Sequence, residues 1–307
     1  MTVLVFVEPS HPAGRVADAS VPQLSVLDQG ITRGDGVFES ALYKGGVVRK
    51  LDAHLARMAV SAASCDLSLP TEEAWRAAIA TAVDAYGAGR AAGTGSADAP
   101  GSKDAQDNDE AVLKLVATRG TEGAPHGTAW VTVAPAPALG RRQRAAGVAV
   151  LLLDRGYDST VAERAPWLLM GAKTLSYAVN MAALRHARKL GADDVIFVSS
   201  DGRVLEGPTS TVLLAVREGD RKRLITPMLE TGILPGTTQG AIFTAAEAAG
   251  WDLGYGPLEP QHLIQADAVW LVSSVRLLAP VNSLDGVELS RDAELHAELT
   301  AMVDAIR

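Results

Sequence analysis

The stretch PWLLMGAKTLSYAVNMAALRHARKLGADDVIFVSSDGRVLEGPTSTVLLAV, residues 166–216, decides the fold class of this chain. Apolar residues at helical spacing predict a helix over 174–190, and Gly191 suits the left-handed position that follows such a helix. Residues 194–205 predict two short strands joined by a tight turn, and 211–216 predict a third strand. Helices and strands mixed irregularly in this way favour an α+β fold over a doubly wound α/β sheet.

The rest of the chain continues the same mixture of strands and helices. Strands are predicted at residues 3–7, 112–118, 129–134, 148–154 and 268–272, with a hairpin over 37–48 that turns at Gly45-Gly46. Helices are predicted at 51–63, 72–86 and 237–249, and from about residue 291 onward. The pattern has no 20–50-residue repeat, which argues against a repeat architecture.

Two segments lack the apolar residues that a core needs. Residues 87–110 contain no large apolar side chain, which predicts a flexible surface insertion because nothing there offsets the chain entropy. Residues 137–146 follow a proline-rich run and are basic, which predicts an interdomain linker. We therefore expect an N-terminal α+β domain over 1–136 and a C-terminal α+β domain over 147–307.

Net charge and cysteine content narrow the function classes. The 307 residues include 28 Lys and Arg against 36 Asp and Glu, a formal net charge of −8. Such a chain is a poor candidate for binding nucleic acid or an anionic membrane surface. Cys65 is the single cysteine, no apolar run reaches the roughly 20 residues of a spanning helix, and the N-terminal residues lack a basic signal-peptide region. We therefore expect a cytoplasmic enzyme or binding protein.

Two ionisable residues of the quoted stretch are candidates for chemistry. Lys173 lies between an apolar run and the predicted helix, where apolar neighbours would keep its amine neutral and reactive. An ordinary exposed lysine at a helix start is the alternative. Glu206 ends a strand before Gly207-Pro208, a turn that would aim the carboxylate inward at a protonated ring nitrogen or an arginine. A surface glutamate in a turn is the alternative there.

The segment LPGTTQ, residues 234–239, is a candidate anion site. Gly236 lets the backbone approach a ligand, and Thr237 and Thr238 place hydroxyl and N–H groups at the start of a helix. An ordinary threonine N-cap would explain the same residues. The six histidines are scattered without metal-ligand spacing, so the sequence predicts no metal site.

Together these segments resemble the class IV aminotransferase family, the fold-type IV enzymes that use pyridoxal 5′-phosphate. Five motifs carry the resemblance in the family's order: LSVLDQGITRGDGVFES (24–40), LDAHLARMAVSA (51–62), KTLSYAVNMAAL (173–184), VLEGPTSTV (204–212) and LETGILPGTTQGAI (229–242). The resemblance implies a two-domain α+β fold of the D-amino-acid aminotransferase type. It also implies a homodimer and a C-terminal domain that carries the cofactor lysine.

The resemblance assigns roles to particular side chains. Lys173 would form the Schiff base with the cofactor and move a proton, and Glu206 would keep the pyridine nitrogen protonated. The remaining implied cofactor contacts are Arg57, Thr237, Thr238 and Ser274 on the phosphate and Tyr177 on the ring hydroxyl. The implied substrate contacts are Phe38, Arg119 and Arg276. Thr211 departs from the asparagine of many relatives, a change that we expect to alter the surroundings of Glu206.

Two details of the family pattern favour one branch of it. RGDGVFES (33–40) and VLKLVATRG (112–120) are similar to 4-amino-4-deoxychorismate lyases and D-amino-acid transaminases rather than to branched-chain enzymes. Thr121 stands where the D-amino-acid enzymes usually have a histidine, which favours the lyase. We therefore expect elimination of pyruvate from an amino substrate with carboxylates, giving p-aminobenzoate. A D-amino-acid or branched-chain transaminase is the alternative, and a non-catalytic binding protein on the same scaffold is a further one.

Overall fold

A computed structural model describes residues 1–93 and 109–307, and these residues form two compact units. The first unit comprises 1–136, 172–176 and Arg307, and the second comprises 137–171 and 177–306. Each unit combines helices with a sheet, which confirms the predicted α+β class. We expected Lys173 in the C-terminal domain, but the segment 172–176 that contains it groups with the first unit.

The first unit contains one antiparallel sheet. Its strands are β1 (Val3–Glu8), β2 (His11–Ala17), β3 (Gly36–Lys44), β4 (Val47–Val48), β5 (Glu110–Thr118) and β6 (Thr128–Pro135). They lie in the order β2-β1-β6-β5-β3-β4 within the described residues. Gly45 and Gly46 join β3 to β4 with φ of 58° and 80°, a left-handed pair that L-residues with a Cβ rarely adopt. The predicted hairpin is therefore confirmed.

Helices cover this sheet and close its core. They are α1 (Gln29–Thr32), α2 (Leu51–Ser64) and α3 (Glu72–Gly93). Apolar residues three and four positions apart give α2 and α3 one apolar face each, and these faces pack on β3 and on β1 and β2. Met58 and Trp75 are only 1% and 2% exposed, and burial of each such side chain stabilises the fold by about 1.5–3 kcal/mol.

The second unit contains a mixed sheet. Its strands are β7 (Val148–Asp154), β8 (Asp194–Val198), β9 (Thr211–Glu218), β10 (Arg221–Pro227), β11 (Asp252–Gly256), β12 (Ala268–Ser273), β13 (Leu277–Leu284) and β14 (Val287–Glu288). The order is β11-β10-β9-β12-β13-β7-β8, and β14 pairs with β13. Near-continuous apolar runs such as Leu213, Leu214 and Ala215 in β9 are buried, as expected for a central strand.

The helices of the second unit position its candidate site residues. They are α4 (Ala138–Ala146), α5 (Val161–Arg164), α6 (Ala178–Lys189), α7 (Thr237–Ala248), α8 (Pro260–Gln265) and α9 (Ala293–Ala305). Gly191 follows α6 with φ of 82° and Gly250 follows α7 with φ of 83°, the left-handed conformation that ends a helix. No helix of the described residues is both long and apolar enough to span a membrane.

Three predictions of local structure were wrong. Residues 174–177 are not helical, because Thr174 bridges to Val37 and the Leu175 N–H donates to the Gly36 carbonyl, so these backbone groups pair with a strand. Residues 87–93 extend α3, since alanine and arginine favour helix. The expected linker at 137–146 contains α4, which packs on β13. Residues 94–108 of the predicted insertion lie outside the described residues.

Candidate active site

Lys173 lies on an extended segment held on both sides by the first unit. Its backbone N–H donates to the Ser61 Oγ at 3.0 Å, and its carbonyl accepts from the Phe38 N–H at 3.0 Å. The Leu175 N–H donates to the Gly36 carbonyl at 2.8 Å. Ser61 is 1% exposed, so its hydroxyl is a buried acceptor rather than a surface group. These bonds fix the backbone from which the Lys173 side chain projects.

Phe38 brings two lysine amines to one aromatic ring. The Lys173 Nζ lies 4.6 Å from the ring centroid and the Lys114 Nζ lies 4.9 Å from it, both within cation–π range. Lys114 projects from β5, which pairs with β3 beside Phe38. Partial burial lowers the pKa of the Lys114 amine. Sequence reasoning quoted Lys114 within VLKLVATRG but gave it no role.

Arg57 is fixed by a buried carboxylate. Its Nε and Nη2 donate to the two oxygens of Glu39 at 2.7 and 2.8 Å, and the His54 Nδ1 lies 2.7 Å from the Glu39 Oε2. Burial acts to raise the pKa of Glu39, but the bonds and charges of Arg57 and His54 outweigh it and lower the pKa to about 2. Glu39 is therefore ionised at neutral pH, and it orients the guanidinium. Glu39 and His54 lie in the family motifs at 24–40 and 51–62, but the sequence alone did not indicate that they orient Arg57.

Arg119 is engaged within the first unit. Its Nε and Nη2 donate to the Asp35 carboxylate at 2.6 and 3.1 Å, and its Nη2 and Nη1 donate to the carbonyls of Cys65 and Asp66 at 2.7 and 3.1 Å. These acceptors follow α2 and precede β3, so Arg119 ties the two segments together. Four donors of the Arg119 guanidinium are thus engaged within the unit, and its contact with a substrate carboxylate stays a prediction.

Glu206 is held by backbone groups of the second unit. Its Oε2 accepts from the Leu234 N–H at 3.2 Å, and its own carbonyl accepts from the Phe197 N–H at 2.9 Å. A Cβ at Gly207 would lie 2.4 Å from the Ser210 Oγ, so only glycine fits the turn that follows. Glu206 is half-buried rather than an exposed surface residue, as the inward reading predicts.

Three hydroxyls meet at the start of α7. The Ser274 Oγ lies 3.1 Å from the Thr237 Oγ1 and 3.2 Å from the Thr238 Oγ1. A Cβ at Gly236 would lie 2.6 Å from the Thr211 Oγ1, so the residue that departs from the family pattern packs against this turn. Hydroxyls beside the first N–H groups of a twelve-residue helix form a site that suits a phosphate.

Tyr177 and Arg276 complete the predicted residues of the second unit. Tyr177 is half-buried and caps α6, and its carbonyl accepts from the Met181 N–H at 2.9 Å. Arg276 is 6% exposed, and its Nη1 donates to the Asp194 Oδ2 at 2.6 Å. It ties the turn between β12 and β13 to the start of β8. The guanidinium is therefore engaged in a buried internal ion pair, and the substrate contact of Arg276 stays a prediction.

A family model for class IV amino-transferases matches residues 36–284 of this chain. The chain belongs to the class IV aminotransferase family. Membership confirms the resemblance given by the five motifs, the fold type, and the expectation of an enzyme that depends on pyridoxal 5′-phosphate.

Three related proteins are similar to this chain over almost its whole length. A bifunctional aminodeoxychorismate lyase and D-amino acid transaminase of Mycobacterium tuberculosis is 43% identical over 93% of this chain and 95% of its own. The PLP-bound form of a hypothetical aminotransferase from the same organism superposes with a TM-score of 0.87 at 40% identity, covering 99% of this chain and 98% of that one. A fold IV transaminase of Curtobacterium pusillum gives a TM-score of 0.87 at 41% identity, covering all of both chains.

Each unit, taken by itself, offers groups that suit pyridoxal 5′-phosphate. The first unit offers the Lys173 amine and a guanidinium at Arg57 that Glu39 keeps oriented, and the second offers the Glu206 carboxylate and the hydroxyl cluster at α7. An amine, a carboxylate and an anion-binding helix start are the groups that the aldehyde, ring nitrogen and phosphate of pyridoxal 5′-phosphate need. Among the described residues, no group of three or more His, Cys, Asp or Glu side chains is placed to hold a metal ion.

Proposed function

We propose that this class IV enzyme is a 4-amino-4-deoxychorismate lyase. Its substrate is an amine with two carboxylates, so its binding needs cationic groups besides the reactive lysine. The observation that carries the proposal is the second lysine, Lys114, on the ring of Phe38 that Lys173 also contacts. Arg119 and Arg276 already pair with Asp35 and Asp194, whereas the Lys114 amine shares the Phe38 ring with Lys173, which makes Lys114 our candidate carboxylate receptor in the first unit.

The cofactor contacts form part of this proposal. Lys173 would hold the cofactor aldehyde, and Glu206 would keep a proton on the ring nitrogen. Arg57, Thr237, Thr238 and Ser274 would bind the phosphate, and Tyr177 would contact the ring hydroxyl. Two observations support the phosphate assignments: Arg57 is oriented by Glu39, and Ser274 lies against both threonines.

The chemistry requires a proton to leave the carbon that bears the substrate amine. When bound, pyridoxal 5′-phosphate supplies the electron sink for the pair that this proton leaves behind. The Lys173 Nζ takes that proton, while Glu206 holds the proton on the ring nitrogen. The electron pair would form the last ring double bond as the neighbouring C–O bond breaks, so that pyruvate leaves as its enolate and takes up a proton at carbon. The ring is then aromatic, as in p-aminobenzoate, and Lys114 would keep a carboxylate of the substrate in place during the step. The Phe38 ring lies within cation–π range of both amines and positions them relative to each other.

The proposal is tested by giving the loaded enzyme 4-amino-4-deoxychorismate without any keto acid. We expect p-aminobenzoate and pyruvate to accumulate over many turnovers, and neither to form with Lys173→Ala. A transaminase needs a keto-acid acceptor to turn over. Release of pyruvate from D-alanine, with no p-aminobenzoate from the first substrate, would overturn the lyase and establish the transaminase.

Lys114→Gln tests the carboxylate receptor. A hydrogen bond to a charged group contributes about 1.5–3 kcal/mol, so we expect the KM for 4-amino-4-deoxychorismate to rise about 10- to 100-fold. Lys44→Gln is the matched control, since Lys44 lies on the neighbouring strand β3, is 47% exposed and pairs with Glu110 at 3.0 Å rather than with Phe38. Equal KM values for the two variants would show that Lys114 does not bind substrate.

Transamination of D-amino acids is the second candidate, favoured by the similarity to a bifunctional relative that carries both names. The two activities share proton removal by Lys173 and differ in where the proton is returned. The ratio of p-aminobenzoate formed to D-alanine consumed measures which activity dominates when both substrates are supplied with a keto acid.

We also propose a homodimer. Val26, Leu27 and Ile31 are 79%, 70% and 56% exposed within six residues of chain, and clustered exposed apolar side chains mark protein contacts. A second copy of this chain would cover them. Light scattering of the purified enzyme tests this by its mass, and a mass of one chain would contradict it. Location in the cytoplasm stays a prediction.

A further inference from the structure

A chain of hydrogen bonds links α6 to the turn that follows Glu206. Asn180, in the first turn of α6, donates from its Nδ2 to the Pro208 carbonyl at 2.7 Å. Its Oδ1 accepts from the Arg155 Nη2 at 3.2 Å. Pro208 lies two residues after Glu206, so the Asn180 amide connects a guanidinium to the backbone beside the candidate ring contact.

Arg155 is itself fixed by the strand that pairs with Glu206. Its guanidinium lies 4.5 Å from the centroid of the Phe197 ring, and its Nε donates to the Tyr157 hydroxyl at 3.3 Å. The Arg155 N–H donates to the Val198 carbonyl at 2.8 Å. Phe197 donates its N–H to the Glu206 carbonyl. The same strand therefore anchors both Arg155 and Glu206.

The surroundings of Asn180 allow one orientation of its amide. Its oxygen faces a cation and its NH2 faces a carbonyl, whereas a flipped amide would oppose donor to donor and acceptor to acceptor. Aspartate cannot replace it, since a carboxylate has no N–H for Pro208. The Tyr157 pKa is raised by burial, and the charge of Glu206 adds to the increase, which places the Glu206 carboxylate within electrostatic reach of this cluster.

We propose that Arg155 and Asn180 are positioning residues for the two ring contacts, Tyr177 and Glu206. Asn180 holds the turn after Glu206 against the helix that Tyr177 caps, and Arg155 holds Asn180 in the orientation this requires. The carboxylate is thereby kept at one place for the ring nitrogen of pyridoxal 5′-phosphate. The inference rests on the proposed role of Glu206. It adds Arg155 and Asn180, to which the family resemblance assigns no contact with the cofactor.

The variants Asn180→Ala, Asn180→Asp and Arg155→Met test the proposal by cofactor binding and absorbance. A proton on the ring nitrogen lowers the pKa of the nitrogen that joins the cofactor to the lysine, because the two positive charges repel. A misplaced Glu206 would hold the ring proton less well. The pH midpoint of the visible absorbance, which follows the second nitrogen, would then rise. We expect the midpoint to rise by about half a pH unit or more. We also expect the Kd of the apoprotein for pyridoxal 5′-phosphate to rise about tenfold.

Asn282→Ala is the matched control, because the Asn282 Nδ2 donates to the Ala146 carbonyl at 2.8 Å on β13 of the same unit. It removes an equivalent bond and should leave the absorbance midpoint unchanged. Asn180→Asp keeps an acceptor for Arg155 but not the donor to Pro208, so we expect it to behave like Asn180→Ala. A wild-type midpoint in Asn180→Asp, or an equal shift in Asn282→Ala, would overturn the proposal.

Failure of the proposed function gives a different result. If the wild-type enzyme shows no visible cofactor absorbance that depends on Lys173, the cofactor assignment itself fails. If that absorbance is present and titrates identically in all variants, the cofactor assignment stands and the positioning role fails.

Discussion

The two units fix their candidate cofactor-binding groups by different physical means. In the first unit, Arg57 is oriented by Glu39, an ionised carboxylate with 0% exposure. In the second unit, neutral hydroxyls meet at a helix start, where Thr237 and Thr238 contact Ser274 and Gly236 leaves no room for a side chain. One region depends on a buried charge, and the other depends on close backbone packing.

Because of this difference, we expect different kinds of substitution to destabilise the two regions. Removing one partner of a buried ion pair leaves an uncompensated charge, which costs about 3–5 kcal/mol. A tightly packed turn of neutral groups tolerates loss of a hydroxyl better than added volume, because surrounding atoms cannot move aside. Changes of charge should therefore damage the first region most, and changes of volume the second.

The largest effect is expected for Glu39→Gln. The substitution keeps the shape but leaves Arg57 and His54 without their carboxylate, so we expect the free energy of unfolding to fall by about 3 kcal/mol in urea denaturation. Glu8→Gln is the matched control in the same sheet, since the Glu8 carboxylate also accepts two bonds from an arginine, Arg15, but the two side chains are 32% and 39% exposed. A pair in which both partners are exposed to this extent should cost about 1 kcal/mol or less. Equal losses would contradict the comparison.

Glu39 also predicts a pH dependence. Its pKa falls from 4.5 to about 2 on folding, so its contribution to stability is complete above the unfolded pKa and is lost as pH falls through the folded one. We expect the wild-type unfolding free energy to drop more steeply between pH 4.5 and 2 than that of Glu39→Gln. Parallel curves for the two proteins would show that another carboxyl group accounts for the acid sensitivity.

An intermediate effect is expected for Gly236→Ala in the second unit. The new Cβ would lie 2.6 Å from the Thr211 Oγ1 and 3.0 Å from the Gln239 Cβ, so the start of α7 must shift. We expect a loss of about 2 kcal/mol in unfolding free energy, with weaker binding of pyridoxal 5′-phosphate measured by fluorescence titration. Gly240→Ala, in the same helix, meets no atom within 4 Å and should stabilise it by about 0.5–1 kcal/mol. Destabilisation of both variants alike would indicate a general sensitivity of the helix.

The sequence predicted the elements whose apolar spacing is regular and the site residues that lie in motifs. The strand at 148–154 and the helix starting at Thr237 match the structure. The helix predicted from residue 174 failed at its start because Thr174 and Leu175 find backbone partners on β3, a long-range pairing with no local signal.

The ion-pair partners of the predicted substrate arginines escaped sequence analysis for a related reason. Arg119 and Arg276 are cations in plausible motifs, and nothing near them in sequence reveals their partners Asp35 and Asp194, which lie 84 and 82 positions away. Lys114 was missed because a single lysine in a strand carries no pattern, and only the pairing of β3 with β5 places it beside Phe38. Side-chain partners across a sheet are set by register, which the sequence alone does not determine.

The smallest effect is expected for Ser61→Ala, which returns the comparison to the first unit without changing any charge. The Lys173 N–H loses a buried neutral acceptor at 3.0 Å, a change worth about 1 kcal/mol in unfolding free energy. Ser64→Ala, on the exposed end of the same helix, removes a bond to the Val60 carbonyl and should change stability by less than about 0.5 kcal/mol. If Ser61→Ala lowers the unfolding free energy as much as Glu39→Gln does, burial of the side chain explains the loss of stability in both variants. If the loss for Ser61→Ala is several times smaller, the charge of Glu39 explains the larger loss in Glu39→Gln.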